Sequence, residues 1–143
     1  VHQSVLEVST KHESRNSKEK TMTQTTSKKQ YDLEDRTLAF ARRVNAYVRS
    51  LPRDIVNIEN GKQLTRSAGS IGANYIEANE SLSKKDFAMR IKISKKESKE
   101  TRYWLTLTEP KDEHRVERDA LLQQATELMK ILGSILSKSL TGV

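Results

Sequence analysis

Residues Leu64 to Leu82 read LTRSAGSIGANYIEANESL, and every other segment finds its place from this one. The apolar residues Leu64, Ala68, Ile71, Tyr75, Ala78 and Leu82 step by 4, 3, 4, 3 and 4, which sets them on one side of an α-helix. Gly61, Gly69, Gly72 and Ala73 add a second strip with almost no side chain. A glycine inside a helix costs about 1 kcal/mol against alanine. Several in one helix imply that a neighbouring helix backbone comes close enough to offset that cost. The stretch reads as a tightly gripped helix of an all-α protein.

On the N-terminal side, Leu33, Thr37, Phe40, Val44, Tyr47 or Val48, and Leu51 recur at heptad-like spacing. They predict a helix from about Asp32 to Ser50, with Asp32, Glu34 and Asp35 in its first turn, where the helix dipole favours negative charge. Pro52 stops it. Pro52 to Asn60 reads as a connector with a short helical turn at Ile55 to Ile58, and Asn60-Gly61 as either a turn or the start of the central helix. That helix is expected to end near Ser81 to Ser83.

On the C-terminal side, Ser83 followed by Asp86 resembles a capped helix start. The next helix is expected from Lys84 to about Thr108, closed by Pro110. Its inner row is Phe87, Ile91, Ser94, Ser98, Thr101, Leu105 and Thr108. The small polar middle of that row suits a closely approaching helix or a hydrogen-bonding partner. Lys111 to Arg115 reads as a charged turn, and a last helix runs from about Val116 to Ser139. There Leu121, Leu122, Ala125, Leu128, Met129, Ile131, Leu132, Ile135 and Leu136 cover a wide arc, which argues for self-association, the alternative being a central bundle helix with no oligomer. Four helices with short loops make an up-down-up-down antiparallel four-helix bundle over residues 31–143.

Residues 1–30 are rich in Ser, Thr, Lys, Glu and Gln. Such a segment cannot bury enough to offset its ordering entropy, so a disordered polar tail is expected. The chain begins with Val1, and Met22 offers an internal start that would remove most of the tail. The length of 143 residues favours one domain besides this tail. No apolar run approaches the roughly 20 residues of a membrane span, and no secretory leader is evident. Cys is absent, which excludes disulfides and thiolate metal sites. A cytoplasmic protein is expected.

The net charge is +7 and the pI about 9.7, a balance that favours polyanions. Residues 1–30 hold six Lys/Arg against three Glu, and residues 31–143 hold twenty against sixteen acids, so the excess is shared. The densest run lies between Lys84 and Arg102, with eight Lys/Arg and three acids. Lys92, Lys95, Lys99 and Arg102 step by 3, 4 and 3 and share a face, with Lys85 and Lys96 near it. A row of cations along a helix neutralises phosphates and releases counterions. Arg42, Arg43 and Arg49 on the first helix could add to it. The opposing reading is a solvated face on which Glu97 and Glu100 pair within the helix. No aromatic row accompanies the stripe, so contact by backbone charge and shape is expected rather than base reading.

Catalysis has little support. His2 and His12 fall in the tail and His114 in the charged turn, with no metal-ligand spacing. Ser67, Ser70, Ser94 and Ser98 lack a histidine to act as base. Gly61-Lys62 lacks the strand and glycine loop of a phosphate-binding P-loop. Asn74, Glu77 and Asn79 read as a buried hydrogen-bond set that fixes helix pairing, with Arg66, Arg102 or Ser98 as partners, the alternative being a site built from a carboxylate and amides. No enzyme, cofactor or metal is expected.

The residues Tyr31-Asp32-Leu33-Glu34, Leu51-Pro52, Gly61-Lys62-Gln63-Leu64, Arg66 through Asn79, Ser83-Lys84-Lys85-Asp86-Phe87 and Glu97 through Leu105 carry a further signal. In order and spacing, the stretch from Tyr31 to about Leu107 resembles the 23S rRNA intervening-sequence proteins, four-helix bundles of bacterial origin. Gly69, Gly72, Asn74 and Glu77 belong to the shared signature. The resemblance implies an oligomer, a homopentamer in which bundles ring a channel. It also implies similarity to the accessory variability protein of diversity-generating retroelements, which binds nucleic acid and a reverse transcriptase. The family name records a gene location inside ribosomal RNA genes rather than a mechanism. Two functions follow as expectations: binding of RNA or DNA through the basic surface, or docking of a partner protein with the basic face serving solubility.

Overall fold

The computed structural model describes the backbone of residues 17–141, and side-chain surroundings from residue 33 onward. Four α-helices follow one another: α1, Ser17–Ser50; α2, Ile55–Asn79; α3, Lys84–Leu107; and α4, Arg115–Thr141. A short 3-10 turn, Asp112–His114, precedes α4. No strand occurs among the described residues. Packing is described for residues 34–143, which form one compact unit.

α1 starts at Ser17, so residues 17–30 are helical, ahead of the start expected near Asp32. Asp32, Glu34 and Asp35 consequently lie inside the helix and not in its first turn. A helix already nucleated extends one residue at a time without paying the nucleation cost again, and Lys, Glu, Gln and Met suit it. Of the disordered tail expected over residues 1–30, the second half, residues 17–30, is instead helical, and residues 1–16 lie outside the described residues.

α2 begins at Ile55, earlier than the connector reading allowed. Asp54 caps it in extended geometry, its carboxylate accepting the Asn57 backbone N–H at 2.9 Å. The first two turns bury Asn57 and Gly61 while Ile55, Val56 and Ile58 are exposed. Asn57 acts as a latch. Its amide nitrogen donates to the carbonyls of Pro52 and Glu109, both at 3.0 Å, and its oxygen accepts the Glu109 N–H at 2.8 Å. One buried side chain thereby ties the entry to α2 to the exit from α3.

The bundle closes as a square. α1 meets α2 where Gly72 lies against Thr37: a Cβ on Gly72 would stand 2.8 Å from the Thr37 hydroxyl. Gly61 lies against Val48 in the same seam, where a Cβ would stand 3.2 Å from Val48 Cγ1. α2 meets α3 through small polar side chains. The Ser94 hydroxyl donates to the Ile71 carbonyl at 2.7 Å, and Thr101 to Ser67 Oγ at 2.9 Å. A hydroxyl reaches another helix's backbone only where the axes lie close. α3 meets α4 at Lys95 and Gly133. α4 returns to α1 through Arg36, which donates to Gln124 at 3.0 Å and Glu127 at 2.6 Å. The core is Phe40, Val44, Tyr47, Leu64, Ile71, Ile91, Leu105, Leu121, Leu128 and Leu132.

Several expectations are corrected. Gly69 and Ala73 are exposed, and a Cβ on Gly69 would meet nothing within 4 Å. Of the small-residue strip, Gly61 and Gly72 are the ones that lie against α1. Leu82 is 99% exposed. α2 ends at Asn79, and the chain reverses over the four residues Glu80 to Ser83, so Leu82 never reaches the stripe. The helix end is held by the Ser81 N–H on the Ala78 carbonyl and the Ser81 hydroxyl on that of Glu77. On α4, Leu121, Ala125, Leu128 and Leu132 are buried, and the remaining residues of the wide arc are half-buried along its flanks. The Ser83 cap is as expected, its hydroxyl accepting the Asp86 N–H at 3.1 Å.

Candidate nucleic-acid interface

The buried row of α3 is Ile91, Ser94, Ser98, Thr101 and Leu105. At 3.6 residues per turn, the line opposite that row runs through Lys85, Met89, Lys92, Lys96, Lys99, Tyr103 and Leu107. All seven are exposed. Lys95 is exposed too but leans toward α4, where a Cβ on Gly133 would stand 3.5 Å from its Cε. Arg102 is half-buried on that same flank, and its Nε is buried with no hydrogen-bond partner among the described residues. The centre of the cationic line is thus Lys92, Lys96 and Lys99, with Lys95 and Arg102 along its edge toward α4.

The acids of α3 face the other way. Arg66 of α2 donates to Glu97 at 3.2 and 3.4 Å, and also to Glu100. Trp104 donates its indole N–H to the same Glu100 at 2.9 Å. The Trp104 hydrogen bond, followed by that of Arg66, holds the Glu100 carboxyl below its ordinary range, and the nearby Lys96 charge adds a smaller pull in the same direction. Glu97 and Glu100 are therefore engaged across the α2–α3 seam and not in pairs along α3. Lys85, Lys92, Lys95, Lys96 and Lys99 form no ion pair with any described residue.

The α1 arginines do not join this face. α1 and α3 each pack against α2 and α4, so they occupy opposite corners of the square. Arg42 and Arg49 are exposed on the α1 corner. Arg43 is held by Glu117 of α4 through a two-pronged pair at 2.8 and 3.2 Å, which raises its pKa. The structure brings Lys85, Lys92, Lys95, Lys96, Lys99 and Arg102 together on α3 and leaves Arg42, Arg43 and Arg49 elsewhere.

Asn74, Glu77 and Asn79 reach neighbouring helices from the surface and not as the buried set expected, and with other partners. Asn74 accepts from Arg90 of α3 at 3.1 Å, Glu77 stands 3.9 Å from the same guanidinium, and Asn79 donates to Glu34 of α1 at 2.8 Å. Asn74 and Asn79 are half-buried and Glu77 exposed. Among the described residues no cluster of three His, Cys, Asp or Glu side chains could hold a metal. No described helix is long and apolar enough to cross a membrane.

Tyr103 was missed as a surface residue. It is 58% exposed in line with Lys96 and Lys99, its ring edge-on to Trp104 with centroids 5.0 Å apart. The signal was the same spacing that aligned the lysines: Tyr103 stands four residues after Lys99 and seven after Lys96.

An antiparallel four-helix bundle with one lysine-lined helix and a glycine-notched second helix is the class that fold and surface define. The chain belongs to the 23S rRNA-intervening sequence protein family, whose model matches residues 29–134. That match runs past Leu107 into α4. A solved structure from Bacteroides thetaiotaomicron, described as a protein with unknown function from the S23 ribosomal protein family, is similar. The identity is 32%, the TM-score 0.62, and the match covers 76% of this chain and 98% of that one. No curated protein matches the chain.

Proposed function

We propose that the protein is a non-enzymatic, cytoplasmic bacterial bundle that assembles as a homo-oligomer and binds the backbone of nucleic acid through the outward face of α3. The observation that carries this reading is the division of charge on α3. Its lysines stand without acid partners among the described residues, while Glu97 and Glu100 of the same helix are engaged by Arg66. Lysines left without acid partners along a helix attract phosphates and release counterions on contact. Repetition of the face in an oligomer, the pentamer that the resemblance implies, would turn one modest stripe into a ring of positive potential. The family name and the neighbour's description both refer to the ribosome, which makes a 23S rRNA fragment the first probe.

The test is the affinity for such a fragment as a function of salt. Each phosphate contact contributes a slope of roughly −0.7 to −0.9 in log K against log salt. The Lys92→Glu, Lys96→Glu, Lys99→Glu variant is expected to flatten that slope by about two to three and to weaken binding for all sequences alike. Arg42→Glu with Arg49→Glu, on the opposite corner, is the control expected to matter less. Salt-independent affinity, or equal loss from both variants, rejects the α3 face. Light scattering on the full chain tests the oligomer, and a monomer at micromolar concentration rejects it.

A further inference from the structure

Tyr103 sharpens which nucleic acid the face would take, an inference that rests on the proposed backbone binding. The outward line of α3 from Lys85 to Tyr103 spans about 27 Å at 1.5 Å per residue. Its cations end one turn before the Tyr103 ring. That ring is exposed, yet it does not stand on an unsupported stalk. It abuts Trp104 edge to face at 5.0 Å with an interplanar angle of 75°. Trp104 in turn is anchored by its indole N–H on Glu100, and Glu100 by Arg66 of α2. A chain of three side chains reaching into the neighbouring helix thus backs the platform. Met89 and Leu107, also exposed, add further apolar surface on the same line.

A duplex offers such a convex helix its sugar–phosphate backbone, while its base faces are stacked inside. An aromatic ring beside a phosphate-binding row then has no π-face to meet. A single strand, or an unpaired loop, turns its bases outward while still presenting phosphates to the lysines. We infer that the α3 face takes single-stranded nucleic acid, with Lys92, Lys96 and Lys99 on phosphates and Tyr103 stacking one base. Lysine contacts to phosphates carry no sequence information. Stacking on a tyrosine adds no base code, because every base has a π-face.

The experiment compares a labelled 12-nucleotide mixed-sequence single strand with a hairpin duplex of matching length, by fluorescence anisotropy, using the full chain. Tyr103→Ala is expected to weaken single-strand binding about tenfold and to leave duplex affinity within about twofold. Tyr103→Phe, which keeps the ring, is expected to retain single-strand affinity, and thermal unfolding by circular dichroism confirms that both variants fold. In the unaltered chain, emission from Trp104, the sole tryptophan, should change with the single strand and not with the duplex. If Tyr103→Ala leaves single-strand affinity intact while lysine charge reversal lowers it, the stacking inference falls and backbone binding stands. Equal weakening of both probes by Tyr103→Ala also overturns the single-strand assignment. If the unaltered chain binds neither probe, both readings fall.

Discussion

Charge is arranged differently at the seams of the bundle and along the outward line of α3. Among the described residues, every ion pair that crosses between helices uses arginine: Arg36 and Arg43 from α1 to α4, Arg66 from α2 to α3, and Arg90 from α3 to α2. The outward line of α3 uses lysine, with no acid partner among the described residues. The planar guanidinium holds a carboxylate through two donors and keeps its orientation, whereas an ammonium is a compact, strongly hydrated charge on a flexible stem. A total of +7 therefore conceals two populations. One is neutralised locally and orients helices; the other stays in water, available to a polyanion.

The sharpest way to break this division is to compare a seam latch with an outward lysine. Asn57→Ala removes the side chain that pairs the Glu109 N–H and the Pro52 and Glu109 carbonyls. Leaving buried polar groups unpaired costs about 1–3 kcal/mol each, and water will reach part of this exposed loop. A loss of about 2–3 kcal/mol is expected in urea unfolding, read as a lower midpoint at constant slope. Lys99→Ala, on the outward line, should stay within about 0.5 kcal/mol of the unaltered chain. A comparable loss from Lys99→Ala would mean that the outward line is structural after all.

The next effect is smaller and opposes two glycines three residues apart. Alanine in place of glycine gains about 1 kcal/mol of helix propensity at either site. At Gly72 the new methyl meets the Thr37 hydroxyl at 2.8 Å and Thr37 Cβ at 3.2 Å. Thr37 is buried and its hydroxyl donates to the Glu34 carbonyl at 2.9 Å, so it cannot swing away freely. Overpacking of this kind costs about 1–3 kcal/mol, and Gly72→Ala is expected to be destabilising by about 1 kcal/mol net. At Gly69 the methyl meets nothing, and Gly69→Ala should stabilise by about 0.5–1 kcal/mol. Thermal melts of the two variants therefore move in opposite directions. Movement in the same direction would show that the α1–α2 approach is looser than the geometry states.

This pair also marks how far the sequence can be read. Strong 3.6-residue periodicity revealed the buried rows of α2 and α3, because burial there falls on residues that recur on one side. The start of α2 was hidden for the same reason inverted. Its first inward residues are Asn57 and Gly61, neither apolar, while the apolar Ile55 and Ile58 point to water. Periodicity also enrolled Leu82, since it contains no information about where the chain must turn. It could not separate Gly69 from Gly72, because which glycine faces a helix depends on the neighbour's position. On α3 the lysine line was legible from spacing. Its freedom from acids was not, because the residue that draws off Glu97 and Glu100 is Arg66, more than thirty positions earlier.

The mildest test lies where the two populations touch. Glu100 sits at the seam, yet Lys96 of the outward line also lowers its pKa, after the hydrogen bonds from Trp104 and Arg66. A carboxyl whose folded pKa is depressed contributes stability that is fully present above the ordinary glutamate value of about 4.3. The contribution is lost as the pH falls through the lower folded value. Trp104, sole tryptophan and donor to Glu100, reports the event directly. Its emission should titrate with a midpoint below that of an ordinary glutamate, with circular dichroism identifying any overlapping loss of helix, and the step should vanish in Glu100→Gln. Arg66→Gln removes both a hydrogen bond and a charge from Glu100, so it should raise the midpoint more than Lys96→Gln, which removes a charge but no hydrogen bond. Equal shifts from the two would mean that Lys96 is committed to Glu100 as firmly as Arg66 is. The lysine line would then lose its central member as a free cation, and the separation between seam and surface would fail at the point where it matters for binding.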